Sequence, residues 1–83
     1  MEQQLRTILA EVGGLKRPVE GLSLNDDLFA AGLTSFATVG VMLAIEDAFD
    51  VAIPDALLTR ATFRSIASLQ AAIAPLVVTN RAA

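Results

Sequence analysis

The chain of 83 residues has no cysteine, no histidine, no tryptophan and no tyrosine. Without cysteine there is neither a disulfide framework nor a thiolate metal site. Without histidine the commonest metal ligand and general base is also missing. Lysine occurs once, as Lys16, and no basic residue lies between Arg17 and Arg60. Glu20, Asp26, Asp27, Glu46, Asp47, Asp50 and Asp55 all fall inside that interval, so the middle of the chain is a negative field. Such a field repels nucleic-acid phosphates and anionic lipid surfaces and draws in basic partners. An isoelectric point near 4.6 points the same way. Neither a nucleic acid nor a membrane is expected as a partner. No window approaches the ~20 apolar residues of a bilayer span, and Met1-Glu2-Gln3-Gln4 lacks the basic-then-apolar layout of a secretory signal. A cytoplasmic location is the expectation.

What is present is apolar. Hydrophobic residues make up 54% of the chain and charged residues 18%, which excludes a disordered polymer. The length allows one small core and no second one. Leu5, Ile8, Leu9 and Val12 form the stripe of an amphipathic helix that Gly13-Gly14 ends. Residues 15–26 hold Pro18, Gly21, Ser23 and Asn25 without a sustained period and read as a long surface loop pinned by Val19, Leu22 and Leu24. The segment Asp26 to Gly32 reads as one helical turn that places Leu28 and Phe29 for burial. After Pro54, which breaks the chain direction at Ile53, a short turn runs through Leu57 and Leu58. Thr62 is a candidate cap for a last helix carrying Phe63, Ile66, Leu69 and Ile73, with Pro75 as its stop. No strand alternation and no repeat is visible. The expected class is all-α, with three longer helices, one or two short ones and a long first loop. The domain is expected over residues 1–78, with a frayed tail over 79–83.

The chain is organised around Gly32-Leu33-Thr34-Ser35-Phe36, where a loop of turn residues becomes a long apolar helix. From Phe36 to Phe49 there is no proline and a single glycine, Gly40. Val41, Met42, Ile45, Ala48 and Phe49 recur at steps of three and four and are expected to face the core. Phe36, Val39, Gly40 and Leu43 form a second apolar row beside Ser35 and above Asp47. A helix of a small domain cannot bury its whole circumference, so part of this row is expected at the surface, rimmed by carboxylates. Ser35 itself can cap the helix, its hydroxyl lying near the positive end of the dipole, which favours phosphate.

Asp27-Leu28-Phe29-Ala30-Ala31-Gly32-Leu33-Thr34-Ser35-Phe36, then Val39, then Ile45-Glu46-Asp47-Ala48-Phe49-Asp50-Val51-Ala52-Ile53-Pro54 resembles the acyl carrier protein family in spacing and residue type. The similarity extends from about Leu5 to about Ile73. It implies a small four-helix bundle, with the long loop lying across it, and a 4'-phosphopantetheine arm on Ser35, flanked by Thr34 and Phe36. By the same resemblance, partner enzymes dock along the helix after Ser35, and a monomer is favoured. Two positions depart from the pattern. Thr34 stands where the family usually has Asp, and Phe36 where it usually has Leu.

The residues alone limit what chemistry Ser35 can do. A serine nucleophile needs a base to take its proton, and the sequence offers no histidine, while Lys16 lies well away in the loop. The pairs Asp26-Asp27 and Glu46-Asp47 match no calcium-loop spacing and are explained as solvated helix ends. The expectation is therefore not an enzyme but a substrate. The resemblance then implies that a phosphopantetheinyl transferase would move the arm from coenzyme A to Ser35. A separate acyl- or aminoacyl-activating ligase would load the arm's thiol as a thioester, and downstream transferases would unload it. Against the family pattern, Ala37 and Gly40 stand where fatty acid carriers usually have acids, which favours a specialised, free-standing carrier over a housekeeping one, with an aminoacyl carrier as the preferred version. Val39, Gly40, Leu43, Asp47 and Ile53 are the expected partner face. The alternative reading is a helical protein-interaction module that is never modified.

Overall fold

In a computed structural model, the backbone of residues 1–82 and the side chains of residues 1–77 are described. Four α-helices run α1 Glu2–Val12, α2 Ser35–Phe49, α3 Arg60–Phe63 and α4 Ile66–Ala82, with 3-10 turns at Val19–Gly21 and Asp55–Leu57. Among the described residues there is no strand. The three longer helices bury one stripe each. Leu5, Ile8 and Leu9 of α1 meet Val41 and Ile45 of α2 and Ile66, Leu69 and Ile73 of α4 in one core. Removing these side chains from water is the main force holding the bundle, at about 25 cal/mol per Å2 of apolar surface.

The stripes are narrower than the periodicity predicts. Val12 remains 41% exposed at the end of α1. In the last turn of α2 the inward position passes to Phe49, which packs partly against the core, and Ala48 is left exposed.

The long loop does lie across the bundle, and backbone hydrogen bonds hold it there. Lys16 N donates to Ala31 O at 2.9 Å, Leu28 N to Arg64 O at 2.7 Å, and Ala67 N to Leu24 O at 2.9 Å. From α1, Arg6 Nη1 donates to Val19 O at 2.7 Å while its Nε pairs with Glu2 at 2.8 Å. Val19 and Leu22 are buried, but Leu24 is 39% exposed and contributes its carbonyl rather than its side chain. Asp26 to Gly32 forms a single turn, closed by Ala31 N donating to Asp27 O at 3.1 Å, that does not extend into a helix. Asp27 Oδ1 accepts from Phe29 N and Ala30 N and so caps this turn, whose first N–H groups have no partner within it.

The second half departs from expectation at its caps. Thr59 caps α3 by accepting from Thr62 N at 3.3 Å, so Thr62 starts nothing and Phe63 belongs to the short helix. Ser65 caps α4, accepting from Ser68 N at 3.0 Å while Ser68 Oγ accepts from Ser65 N at 3.0 Å, a reciprocal box. Pro75 does not stop α4. Both Pro75 and Ala71 are exposed, so the carbonyl that loses its N–H partner faces water and the helix continues. The helical backbone of α4 runs on through residues 79–82, where a frayed tail is expected, and Ala83 with the side chains of residues 78–82 lies outside the described residues.

Candidate functional site

Gly32 sets the entry to α2. Its φ of 118° is open to glycine and strained for any other residue, and a Cβ there would stand 2.8 Å from Lys16 N. This conformation sends Leu33 into the core, where it is 3% exposed. Thr34 then turns outward with extended backbone, φ −108° and ψ 161°, and caps the helix: its Oγ1 accepts from Ala37 N at 3.1 Å. Ser35 is thus the first residue inside the helix, and the cap expected of it belongs to its neighbour.

The consequence for Ser35 is a free hydroxyl. The residue is exposed, its carbonyl accepts from Thr38 Oγ1 at 2.6 Å, and its side-chain oxygen makes no hydrogen bond among the described residues. It sits on the first turn of α2, where the helix dipole is positive and where no acidic side chain occurs. Thr34, at the position where the resemblance expects Asp, caps the helix without bringing a negative charge. A phosphodiester on this oxygen fits the position, since the unpaired first-turn N–H groups and the dipole both favour an anion.

Along α2 beyond Ser35 an apolar face stands in solvent. Phe36 is 90% exposed, Val39 53% and Leu43 55%, with exposed Asp47 one turn further on. The structure does not bring the whole predicted row to this face. Gly40 is half-buried and backs onto α1, where a Cβ would meet Val12 Cβ at 4.0 Å. Ile53 is buried at 7% exposure, its N–H donating to Glu46 Oε2 at 2.8 Å. Glu46 thereby fixes the chain after α2, a task its sequence position does not reveal.

A cleft of about 320 Å3 opens beside Ser35. Ser35, Val39 and Met42 line it from α2, and Leu58, Arg60 and Phe63 from the segment around α3. The Arg60 guanidinium lies over the Phe29 ring, 3.9 Å from its centroid. Sequence reasoning missed this cleft because its walls are distant in the chain. The one available signal was Arg60 itself, the first basic residue after Arg17. Among the described residues no cluster of His, Cys, Asp or Glu can hold a metal ion, and no helix is long and apolar enough to cross a membrane.

A family model described as "Phosphopantetheine attachment site" matches residues 3–73. The chain belongs to the phosphopantetheine attachment site family. Ser35, with its free hydroxyl at the start of α2, stands at the centre of the matched stretch. An aminoacyl carrier protein of Agrobacterium fabrum (strain C58 / ATCC 33970) is 49% identical over 70 residues, covering 84% of each chain. A chain in the crystal structure of an engineered Bradyrhizobium japonicum glycine:[carrier protein] ligase, complexed with carrier protein from Agrobacterium tumefaciens and AMP, is also similar. It superposes with a TM-score of 0.86 at 46% identity, over 89% of this chain and 99% of that one. A solution structure from A. tumefaciens matches over 100% of both chains, with a TM-score of 0.77 at 43% identity. This family member is therefore all-α throughout its described residues and shares the small helical bundle of carrier proteins.

Proposed function

We infer that the protein is an aminoacyl carrier whose Ser35 Oγ is the attachment point of a 4'-phosphopantetheine arm donated from coenzyme A by a phosphopantetheinyl transferase. The observation that carries this reading is the hydroxyl of Ser35, exposed and unbonded at the positive end of α2 because Thr34 takes the cap. When attached, the arm supplies the thiol this cysteine-free chain lacks and carries cargo as a thioester. The chain's own residues do the rest by placement. Gly32 and Leu33 hold the Ser35 loop rigid, and the first turn of α2 favours the phosphodiester electrostatically. With no histidine in the chain to act as a base, Ser35 relies on the transferase to take its proton as its oxygen attacks the pyrophosphate of coenzyme A and adenosine 3',5'-bisphosphate leaves.

Cargo chemistry follows from likeness to the relatives. The matched carrier chain stands with an amino-acid-activating ligase, and the curated relative is an aminoacyl carrier. Both support a separate ligase that uses ATP as the loading partner; downstream transferases and a cytoplasmic location complete the proposal. Phe36, Val39 and Leu43 are the contact surface for that ligase, with Asp47 at its rim; Gly40 and Ile53 act from beneath. An apolar face read by shape suits a dedicated partner, because the first turn of α2 carries no acid to guide a basic one. Intact mass after incubation with coenzyme A and a transferase tests the attachment. Incubation of that product with amino acids, ATP and an aminoacyl:carrier ligase, followed by a second mass, tests the cargo.

A further inference from the structure

The cleft beside Ser35 is mostly apolar, yet one cation stands in its wall. Arg60 makes no ion pair among the described residues, whereas Arg6 is paired with Glu2 at 2.8 Å and Arg64 approaches Asp27 at 3.8 Å. Arg60 instead packs over the Phe29 ring, 3.9 Å from the centroid. That contact is made by the guanidinium carbon above the ring, and the N–H donors form no ion pair or hydrogen bond among the described residues, so they remain free for an anion. It also restricts the side chain beforehand, so less rotamer freedom is lost when an anion arrives.

We propose that Arg60 is a positioning residue for the arm: its guanidinium pairs with the phosphodiester on Ser35 and holds the resting arm in the cleft between α2 and α3. The proposal rests on the assignment of Ser35 as the attachment point. Three observations carry it. Ser35 and Arg60 line the same cleft. No other basic residue occurs from position 18 to position 63, so within that stretch Arg60 alone can neutralise the new charge. The wall between them, Val39, Met42 and Phe63, is apolar and suits the paired methyl groups that follow the phosphate in a pantetheine chain. At about 320 Å3 the cleft is at the small end of ligand pockets. It takes the near part of an arm, not a long acyl chain. The same cation opposes entry of an α-ammonium, so an aminoacyl cargo stays outside the cleft, available to the next enzyme.

The test compares holo parent, R60Q and R60K, each prepared from coenzyme A with a transferase, confirmed by intact mass and checked for fold by circular dichroism. In the parent, conversion from apo to holo is expected to shift the Arg60 Nε–H and Phe29 ring resonances. R60Q should lose the Phe29 response and change the phosphorus chemical shift of the arm. Alkylation of the arm's thiol by iodoacetamide should be about three to five times faster in R60Q, the scale of one exposed ion pair, with R60K intermediate and raised salt accelerating the parent. Resonance changes confined to residues flanking Ser35, with equal alkylation rates in all three proteins, would overturn the proposal while leaving the attachment intact. A parent that takes no arm is seen at the mass step and overturns both. If R60Q fails to fold, R60K and the salt dependence of the parent decide.

Discussion

Thr34 Oγ1 accepts the N–H of Ala37 at 3.1 Å, and this single bond separates two tasks that a serine at the helix start would otherwise combine. Thr34 satisfies the helix; Ser35 is left with an oxygen that nothing in the fold uses. Thr34→Ala should therefore destabilise the protein by about 1 kcal/mol. In a domain this size that lowers Tm by roughly 4–8 °C. Thr34→Asp should keep the cap and match or exceed the parent, because a carboxylate at this end of the helix is favoured by about 0.3–1 kcal/mol. Thermal unfolding of the three proteins checks both.

Gly32 is the hinge of the same segment. Gly32→Ala puts a Cβ at 2.8 Å from Lys16 N on backbone with φ 118°. A loss of about 1–3 kcal/mol is expected, with slower transfer of the arm to Ser35 as the loop shifts. Urea unfolding and the transferase rate report the two effects separately.

Phe36 should behave in the opposite way. It is 90% exposed and touches no core, so Phe36→Ala should change stability by less than about 0.5 kcal/mol. Burial of its ring by a ligase is worth about 1.5–3 kcal/mol, so the variant should raise the KM for the carrier roughly tenfold or more. Val39→Asp should do the same, and Asp47→Lys should alter the salt dependence of docking more than its strength. Steady-state loading at two ionic strengths distinguishes them.

Glu46 acts within the fold. Its Oε2 accepts the N–H of buried Ile53 at 2.8 Å. Glu46→Ala leaves that donor without a partner and should cost about 1–3 kcal/mol, while Glu46→Gln keeps an acceptor and should cost less. Hydrogen exchange at the Ile53 amide, faster in the alanine variant, is the direct readout.

The helices were legible because their cause is local. Leu5, Ile8 and Leu9, or Ile66, Leu69 and Ile73, repeat at the helical period whatever surrounds them. The caps were not legible, because Thr34 and Ser35, and again Thr59, Thr62 and Ser65, are comparable capping residues. Which one caps depends on where distant contacts fix the preceding backbone: Gly32 against Lys16 in the first case, Leu28 N on Arg64 O in the second. Asp26 to Gly32 was legible as one turn, capped by Asp27 and closed by Ala31 N on Asp27 O; it goes no further because Gly32 takes positive φ. At the site, Ser35 was readable from its motif and the exposed face from its period. The inward placement of Gly40 and Ile53, and the cleft with Arg60, arise only when separated segments meet.

The most direct measurement is the intact mass of the parent and of Ser35→Ala after incubation with coenzyme A and a broad-specificity phosphopantetheinyl transferase. The account predicts a gain of one phosphopantetheine on the parent and none on the variant. No gain on a folded parent, repeated with the transferase of its own source, would contradict it and leave the exposed face of Phe36, Val39 and Leu43 as that of an unmodified interaction module.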